Sequence, residues 1–246
     1  MPPSEQSASI EVFPGVRPLL RDLTHFIVRP TPPERQMRWG CPLLAIMAVL
    51  LVLDWALSLG IAGLLSGAQA LGYEPPPYVD MDLPRPWLFF LAIVFAPIAE
   101  ELMFRGWLSG RKPALLLAVT SIGGLAAIIL VDLFFPSALR VTSAAAMIAI
   151  GVALLYWLTQ WRDERGMVPA FKRHYALFIW LSSLLFGAVH LTNYEGALSV
   201  VDIVMVLPQT LGGLILAYTR TRLGLRAAIL HHAAFNAVAL LIDSII

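Results

Sequence analysis

The chain contains 246 residues, of which 59% are hydrophobic and 13% are charged, whereas soluble domains average about 45–50% and about 25%. This composition excludes a disordered chain and argues against a soluble domain. The mean hydropathy of +0.77 indicates that much of the surface faces lipid. A formal charge of +1 excludes the broad basic field typical of nucleic-acid binding. The single cysteine, Cys41, cannot form an internal disulfide, and a cysteine-rich zinc site is equally excluded.

Residues 1–40 form a tail rich in proline, serine and charge, without the apolar stretch and cleavage site of a secretory signal. We interpret this stretch as a cytoplasmic tail and residues 41–246 as a transmembrane helical domain. In the tail, apolar residues recur at helical spacing beside arginines: Leu19, Leu20, Leu23, Phe26 and Ile27 beside Arg17, Arg21 and Arg29. This pattern predicts a short amphipathic helix on the membrane surface. A disordered tail is the alternative.

After Arg38 the sequence changes to apolar runs close to the roughly 20 residues that a helix needs to cross a bilayer. Seven runs are present, at residues 42–66, 87–109, 113–134, 139–160, 175–193, 198–219 and 223–245. The sequence therefore predicts an all-α, polytopic transmembrane helix bundle of about seven spans with an N-terminal interfacial helix.

The basic residues predict how the chain is oriented, because cytoplasmic loops collect Lys and Arg. With the N-terminus inside, the tail arginines are joined on the cytoplasmic side by Arg111, Lys112, Arg162, Arg165, Lys172, Arg173, Arg220, Arg222 and Arg226. Only Arg85 and Arg140 fall outside, where the acidic residues are Glu74, Asp80, Asp82 and Glu195. We expect an integral protein of the plasma (inner) membrane with a cytoplasmic N-terminus and the C-terminus on the opposite side.

The second span carries three ionisable residues, Glu100, Glu101 and Arg105. A charge in mid-bilayer costs about 2.5–3.5 kcal/mol or more on insertion scales, so such residues are functional candidates. Glu101 and Arg105 are four residues apart and can pair on one helix face, whereas Glu100 is rotated by about 100°. One carboxylate is thus left without a partner on its own helix.

Histidines lie in the fifth and seventh spans. Phe186 and His190 are four residues apart, as are His232 and Asn236, so each pair shares a helix face and can point into one cavity. His231 is about 100° away from His232 and is expected to face elsewhere.

A glutamate and two histidines around a water-holding cavity can remove a proton from water. The Asn236 amide and an N–H of His232 can stabilise the oxyanion formed during peptide hydrolysis. This set makes a proteolytic site without a Ser, Cys or Asp nucleophile and requires no cofactor. Glu100, His190 and His232 also match the two-histidine and one-carboxylate ligands of hydrolytic zinc sites, although the HExxH spacing is absent. Both interpretations stay open at this point.

Structural explanations also exist for these residues. In one such interpretation, Glu101 and Arg105 form an ion pair between helices. Considered without the other motifs, His190 would be a buried histidine of the core. Asp54, Asp132 and Asp202 are interpreted as helix contacts or boundary residues. The catalytic interpretation is favoured by the combination of Glu100, His190, His232 and Asn236 on three spans, with Phe186 as packing or a cavity wall.

Three motifs together resemble the CAAX prenyl protease and bacteriocin-processing family of intramembrane proteases, also called the abortive-infection family. They are Glu100-Glu101-x-x-Phe104-Arg105-Gly106, Phe186-x-x-x-His190 and His232-x-x-x-Asn236, which occur in the family's order on separate spans. The resemblance covers roughly residues 85–240. This chain has seven clear spans where the family has eight.

The resemblance implies an all-helical endopeptidase whose site opens toward the cytosolic leaflet, with a protein or peptide substrate that is a prenylated CAAX tail in eukaryotic members. It implies that Glu100 and His190 activate water, that His232 and Asn236 stabilise the oxyanion, and that Glu101 and Arg105 support the site. A divalent metal such as zinc is optional in that description. The chief alternative is a non-catalytic, immunity-type membrane protein that binds a partner; a proton-coupled transporter is a third.

Overall fold

A computed structural model describes residues 13–32, 36–79, 82–160, 166–196 and 200–243. Across these residues the chain is helical, and seven helical segments are long and apolar enough to cross a membrane. The predicted all-α, seven-span architecture is therefore confirmed. The spans are Cys41–Ala70, Arg85–Ser109, Lys112–Phe134, Pro136–Gln160, Tyr175–Asn193, Asp202–Arg222 and Leu225–Ile242. We refer to them as the first to the seventh span.

An N-terminal helix, Val16–Val28, precedes the first span, as the tail pattern predicts. Its apolar face was expected against lipid, but Leu19, Leu23 and Phe26 are buried in the main hydrophobic core of the protein. The Phe26 ring packs edge-on against Tyr218 of the sixth span, with 5.4 Å between ring centroids. Asp22 accepts a hydrogen bond from Tyr218 at 2.8 Å, and it pairs with Arg222 at 3.2 Å. Through these contacts, the N-terminal helix packs against the C-terminal end of the sixth span.

The second span is not a uniform α-helix. It alternates between helix types along its length: α over Arg85–Phe90, π over Leu91–Phe95, α over Ala96–Glu100, π over Glu101–Arg105 and 3₁₀ over Gly106–Ser109. π-Helical turns are rare and occur frequently at functional sites. Here the second π turn consists of the residues from Glu101 to Arg105, the charged stretch that the sequence singles out.

The fifth and sixth spans also change helix type. The fifth is α-helical over Tyr175–Val189 and becomes 3₁₀ over His190–Asn193, after the short helix Pro169–Arg173. The sixth begins as 3₁₀ over Val200–Val206 and continues as α-helix over Leu207–Arg222. In contrast, the first span and the final helix, Leu225–Asp243, are continuous α-helices. Backbone irregularities therefore occur along the second span and at the connected ends of the fifth and sixth spans.

The sixth span is the central element, with 56% of its most apolar stretch buried, the highest share of the seven spans. Its glycines admit close neighbours, because a Cβ at Gly213 would lie 3.1 Å from an Arg105 side-chain nitrogen and 3.3 Å from the Phe186 ring. A Cβ at Gly187 of the fifth span would overlap Thr210 Oγ1 of the sixth. Side chains of the second and fifth spans consequently reach the interior beside the sixth span.

The loops after the first and fifth spans are joined by backbone hydrogen bonds. Val79 N–H donates to Asn193 O and Glu195 N–H donates to Pro77 O, each at 2.8 Å. Tyr73 donates from its hydroxyl to Asp202 at 2.7 Å, and this hydrogen bond raises the pKa of Tyr73. Asp202 is thus a boundary contact, as predicted, while Asp132 is exposed near the end of the third span. Asp80, Arg162 and Arg165 of the predicted charge pattern lie outside the described residues.

Candidate active site

Glu101 and Arg105 form the predicted ion pair at the centre of the site. Arg105 donates to Glu101 Oε1 at 2.6 Å, and both side chains are fully buried. The guanidinium also lies 3.4 Å from the carbonyl oxygen of Gly213 and 3.9 Å from the centroid of the Phe186 ring. A buried charge is tolerated when it is paired and further hydrogen bonded. Arg105 meets both conditions, so the pair is a fixed internal structure.

His232 of the seventh span lies between the two glutamates. Its Nδ1 is 3.1 Å from Glu101 Oε1 and its Nε2 is 3.8 Å from Glu100 Oε2. Because a carboxylate oxygen only accepts, Nδ1 carries the hydrogen bonded to Glu101. The other nitrogen, Nε2, is then a donor only when the ring is an imidazolium.

His190 stands where the fifth span changes from α to 3₁₀ helix. Its Nδ1 lies 2.7 Å from the carbonyl oxygen of Phe186. A carbonyl can only accept, so Nδ1 is the protonated nitrogen and Nε2 of the neutral ring presents a lone pair. A histidine held in this tautomer is suited to accept a proton. The ring is half-buried and lies within electrostatic range of Glu100 and His232.

Phe186 separates the charged centre from His190. The centroid of its ring is 4.8 Å from that of the His190 ring and 5.7 Å from that of the His232 ring, both in edge-on arrangements. Phe104 packs edge-on against it at 5.4 Å. Phe186 therefore fixes the spacing of both histidines while stacking with Arg105, in agreement with its predicted role as a cavity wall.

Asn236 lies one turn beyond His232 on the seventh span. Its side-chain amide donates to the carbonyl oxygen of Ala92 at 2.8 Å. Ala92 belongs to the first π turn of the second span. One of the two amide hydrogens is used in this way, and the other is available to a bound substrate.

A cavity of about 190 Å³ lies beside these residues, large enough for several water molecules. Its wall includes Asp54, Phe186, His190, Pro208, Gln209, Gly212, Leu216, His232, Phe235 and Asn236. Glu100 Oε2 is buried and, among the described residues, has no hydrogen-bond partner. The structure thus brings His190, His232 and Asn236 to one cavity, with an unsatisfied carboxylate oxygen 3.8 Å from His232.

The structure adds residues that sequence reasoning did not assign to the site. Asp54 of the first span and Gln209 of the sixth line the cavity. Asp54 Oδ2 also lies 3.6 Å from Nε2 of His231, which faces away from the glutamates as predicted. An ionisable residue within an apolar run was the available signal for Asp54. We interpreted it as a helix contact, which it is, but sequence alone did not place it on the cavity wall.

The metal-binding alternative concerns Glu100, His190 and His232. Within the part of the chain that the structure describes, no group of three His, Cys, Asp or Glu side chains is placed to hold a metal ion. Nδ1 of each histidine contacts a protein acceptor, which leaves Nε2 as the ring nitrogen for a metal or for water. Experiment decides between metal-dependent and metal-free hydrolysis.

A family model described as type II CAAX prenyl endopeptidase Rce1-like matches residues 82–238. The match begins before the second span and ends at residue 238 within the seventh, so it includes every residue of the three motifs. No curated protein and no solved structure matches the chain. Because the family match covers well over half of the sequence and coincides with the assembled site, the chain belongs to the Rce1-like family of type II CAAX prenyl endopeptidases.

Proposed function

We propose that the protein is an intramembrane endopeptidase that cleaves a peptide bond near the C-terminus or a membrane segment of a protein substrate. The observation that carries this proposal is that His190, His232 and Asn236 line one small cavity, while Glu100 Oε2 lies 3.8 Å from His232 Nε2. Family membership supports the reaction class.

Water is the nucleophile in this mechanism. A water molecule in the cavity donates to Glu100 Oε2, the buried oxygen without a protein partner, and to the free Nε2 of His190. As its oxygen attacks the scissile carbonyl, its proton passes to Glu100, with His190 holding the water in place. The same proton then moves to the leaving amine as the carbon–nitrogen bond breaks, so the carboxylate is regenerated.

The oxyanion is stabilised on the other side of the cavity. The free amide hydrogen of Asn236 and the Nε2 hydrogen of protonated His232 are its donors. Glu101 receives the Nδ1 hydrogen of His232 and thereby fixes the orientation of the ring. Arg105 is occupied by Glu101, so it does not pair with Glu100 and leaves that carboxylate free to act as a base.

The proposed substrate class is based on family membership and on the orientation of the spans in the membrane. A CAAX-type substrate carries a lipid anchor and would approach a cavity within the bilayer from the membrane. The bias of Lys and Arg supports an orientation with the N-terminus in the cytoplasm, so the N-terminal helix and the end of the sixth span lie on the cytoplasmic side. We propose that the cavity receives substrate from the cytosolic leaflet.

Replacing Glu100 by Gln tests the proposal. The Glu100→Gln protein keeps the shape of the side chain but loses the base, so cleavage of a prenylated CAAX reporter peptide should fall by about 10²–10⁴-fold. Glu195→Gln is the matched control, because Glu195 is exposed in a loop outside the membrane. Mass spectrometry of proteins that co-purify with Glu100→Gln would identify trapped substrates. Full biological function of Glu100→Gln would favour the non-catalytic binding protein instead.

The metal alternative has its own test. We expect purified, active protein to contain less than stoichiometric zinc and to retain peptide cleavage in EDTA and in 1,10-phenanthroline. Stoichiometric metal whose removal abolishes cleavage, with recovery on adding zinc back, would overturn the metal-free mechanism.

A further inference from the structure

We propose that Asp54 of the first span and His231 of the seventh form a positioning pair, which fixes the rotation of the seventh span so that His232 and Asn236 face the cavity. The roles of His232 and Asn236 in this inference rest on the proposed function. Asp54 lies outside the residues that match the family model. The first span would therefore contribute to a site whose motif residues all come from other spans.

The helix geometry of the seventh span separates two faces. Residues four apart share a face, and adjacent residues differ by about 100°. His232 and Asn236 lie on the face that contacts the second span, through Glu101 and the carbonyl of Ala92. A small rotation of the helix would move both side chains away from the cavity together.

The neighbouring face is held by the first span at two points. Asp54 contacts His231 at 3.6 Å, and the Trp55 ring stacks on Phe235 with 4.7 Å between centroids. His231 and Phe235 are four residues apart, and Asp54 and Trp55 are adjacent. The first span thus contacts two successive turns of the helix that carries His232.

Hydrogen-bond directions define how His231 is oriented. Thr219 donates its hydroxyl hydrogen to Ile215 O at 2.9 Å, so its oxygen accepts from Nδ1 of His231 at 3.2 Å. The other ring nitrogen, Nε2, is therefore the one that faces the Asp54 carboxylate. The two atoms are 3.6 Å apart, beyond hydrogen-bond distance, and Nε2 has no hydrogen-bond partner among the described residues, so the pair is an electrostatic contact.

Burial makes the contact specific. His231 is fully buried and the Asp54 side chain is 5% exposed. Buried polar groups are stabilised by a nearby group of complementary charge. Rotating the seventh span by one residue would move the His231 ring away from the Asp54 carboxylate and lose this contact. A pair with these properties selects one rotation of the helix over its neighbours.

Gly212 provides the space for the carboxylate. A Cβ at position 212 would lie 3.0 Å from Asp54 Oδ1, so the sixth span approaches Asp54 as closely as a glycine allows. Asp54 is thereby confined between the first, sixth and seventh spans. It also borders the cavity, and a direct contact with substrate is the competing role that the experiment must separate.

The kinetic test compares Asp54→Asn with Asp54→Leu, using a fluorogenic prenylated CAAX peptide. An asparagine amide can donate to Nε2 of neutral His231, so Asp54→Asn should retain most of the activity. Leucine cannot, so we expect kcat of Asp54→Leu to fall about 10- to 100-fold with KM unchanged, since misplaced catalytic groups lower the rate of the chemical step. Asp132→Leu, which removes an exposed acid from the third span, should match wild type. A raised KM with unchanged kcat in Asp54→Leu would overturn the positioning role.

A second measurement does not depend on activity. Cys41 is the single cysteine, so Cys41→Ser provides a cysteine-free background. In it, Trp55→Cys combined with Phe235→Cys reports helix rotation through cross-linking by a short bismaleimide. We expect the yield to fall several-fold when Asp54→Leu is added and to persist with Asp54→Asn. Unchanged yield in Asp54→Leu would overturn the pairing. An inactive wild type on the peptide would count against the proposed function, while the cross-linking result still decides this one.

Discussion

The hairpin of the third and fourth spans differs sharply from the spans that surround the cavity. Only 11% of the most apolar stretch of each hairpin helix is buried, against 56% in the sixth span. The hairpin helices Lys112–Phe134 and Leu139–Gln160 are α-helices, with the short 3₁₀ turn Pro136–Ala138 at their connection. The second span contains π segments, and the fifth and sixth spans contain 3₁₀ segments at their ends. The hairpin is also more apolar than the sixth span.

The difference in burial follows because lipid, rather than water, surrounds the membrane-spanning helices. Lipid tails and leucine side chains are equally apolar, so burying an apolar helix brings little gain, and helices associate through small residues and polar contacts. The sixth span has glycines and buried polar residues, and it lies at the centre; the hairpin exposes apolar side chains such as Val119, Leu133 and Met147. Stability and chemistry should therefore depend on polar contacts near the cavity and little on the hairpin.

Removing one member of the buried ion pair should have the largest effect. Arg105→Met removes the guanidinium from the buried Glu101 carboxylate and leaves His232 as its remaining partner, which should lower the free energy of unfolding by about 3–5 kcal/mol. Unfolding in SDS from mixed micelles measures this loss. The double variant Glu101→Gln with Arg105→Met buries no charge and should be more stable than Arg105→Met alone. Equal free energies of unfolding of the two variants would show that this ion pair does not determine the stability of the spans around the cavity.

Several side-chain orientations around the cavity could be predicted from residue spacing within single helices. The four-residue separation predicts the contact of Glu101 with Arg105, and the 100° step predicts that His231 and His232 face different ways; both are confirmed. Span positions follow from apolar length and agree within a few residues, apart from the N-terminal end of the sixth span and the C-terminal end of the first. Such features depend on local geometry, which a sequence contains.

Features that depend on neighbouring elements could not be predicted. Asp54 reaches the cavity because the first span packs against the sixth and seventh, and no pattern within residues 41–70 specifies those neighbours. The π turns of the second span depend on side-chain and carbonyl contacts made to other spans. Likewise, an amphipathic helix such as Val16–Val28 has the same pattern whether its apolar face meets lipid or protein.

Replacing glycine by alanine should have opposite effects on stability in the two regions. Gly187→Ala adds a Cβ that overlaps Thr210 Oγ1 and would lie 3.1 Å from Thr210 Cβ, so we expect a loss of about 1–3 kcal/mol. Gly151→Ala on the hairpin meets no atom within 4 Å and should gain about 0.5–1 kcal/mol, because alanine is the better helix former. SDS unfolding of both variants measures the contrast. Adding Thr210→Gly should recover part of the loss at position 187, and a lack of recovery would contradict the steric cause.

The smallest expected effect lies within the hairpin, at its one close contact between glycine and alanine. A Cβ at Gly124 would be 3.2 Å from Ala146 Cβ, whereas a Cβ at the adjacent Gly123 meets nothing within 4 Å. Gly123→Ala should therefore gain about 0.5–1 kcal/mol, and Gly124→Ala should lose most of that gain to the contact. Paired SDS titrations resolve a difference of this size, and cleavage by both variants should equal wild type. If Gly124→Ala instead reduced cleavage, hairpin packing would be coupled to the cavity, and the division into a lipid-facing hairpin and a functional half would fail.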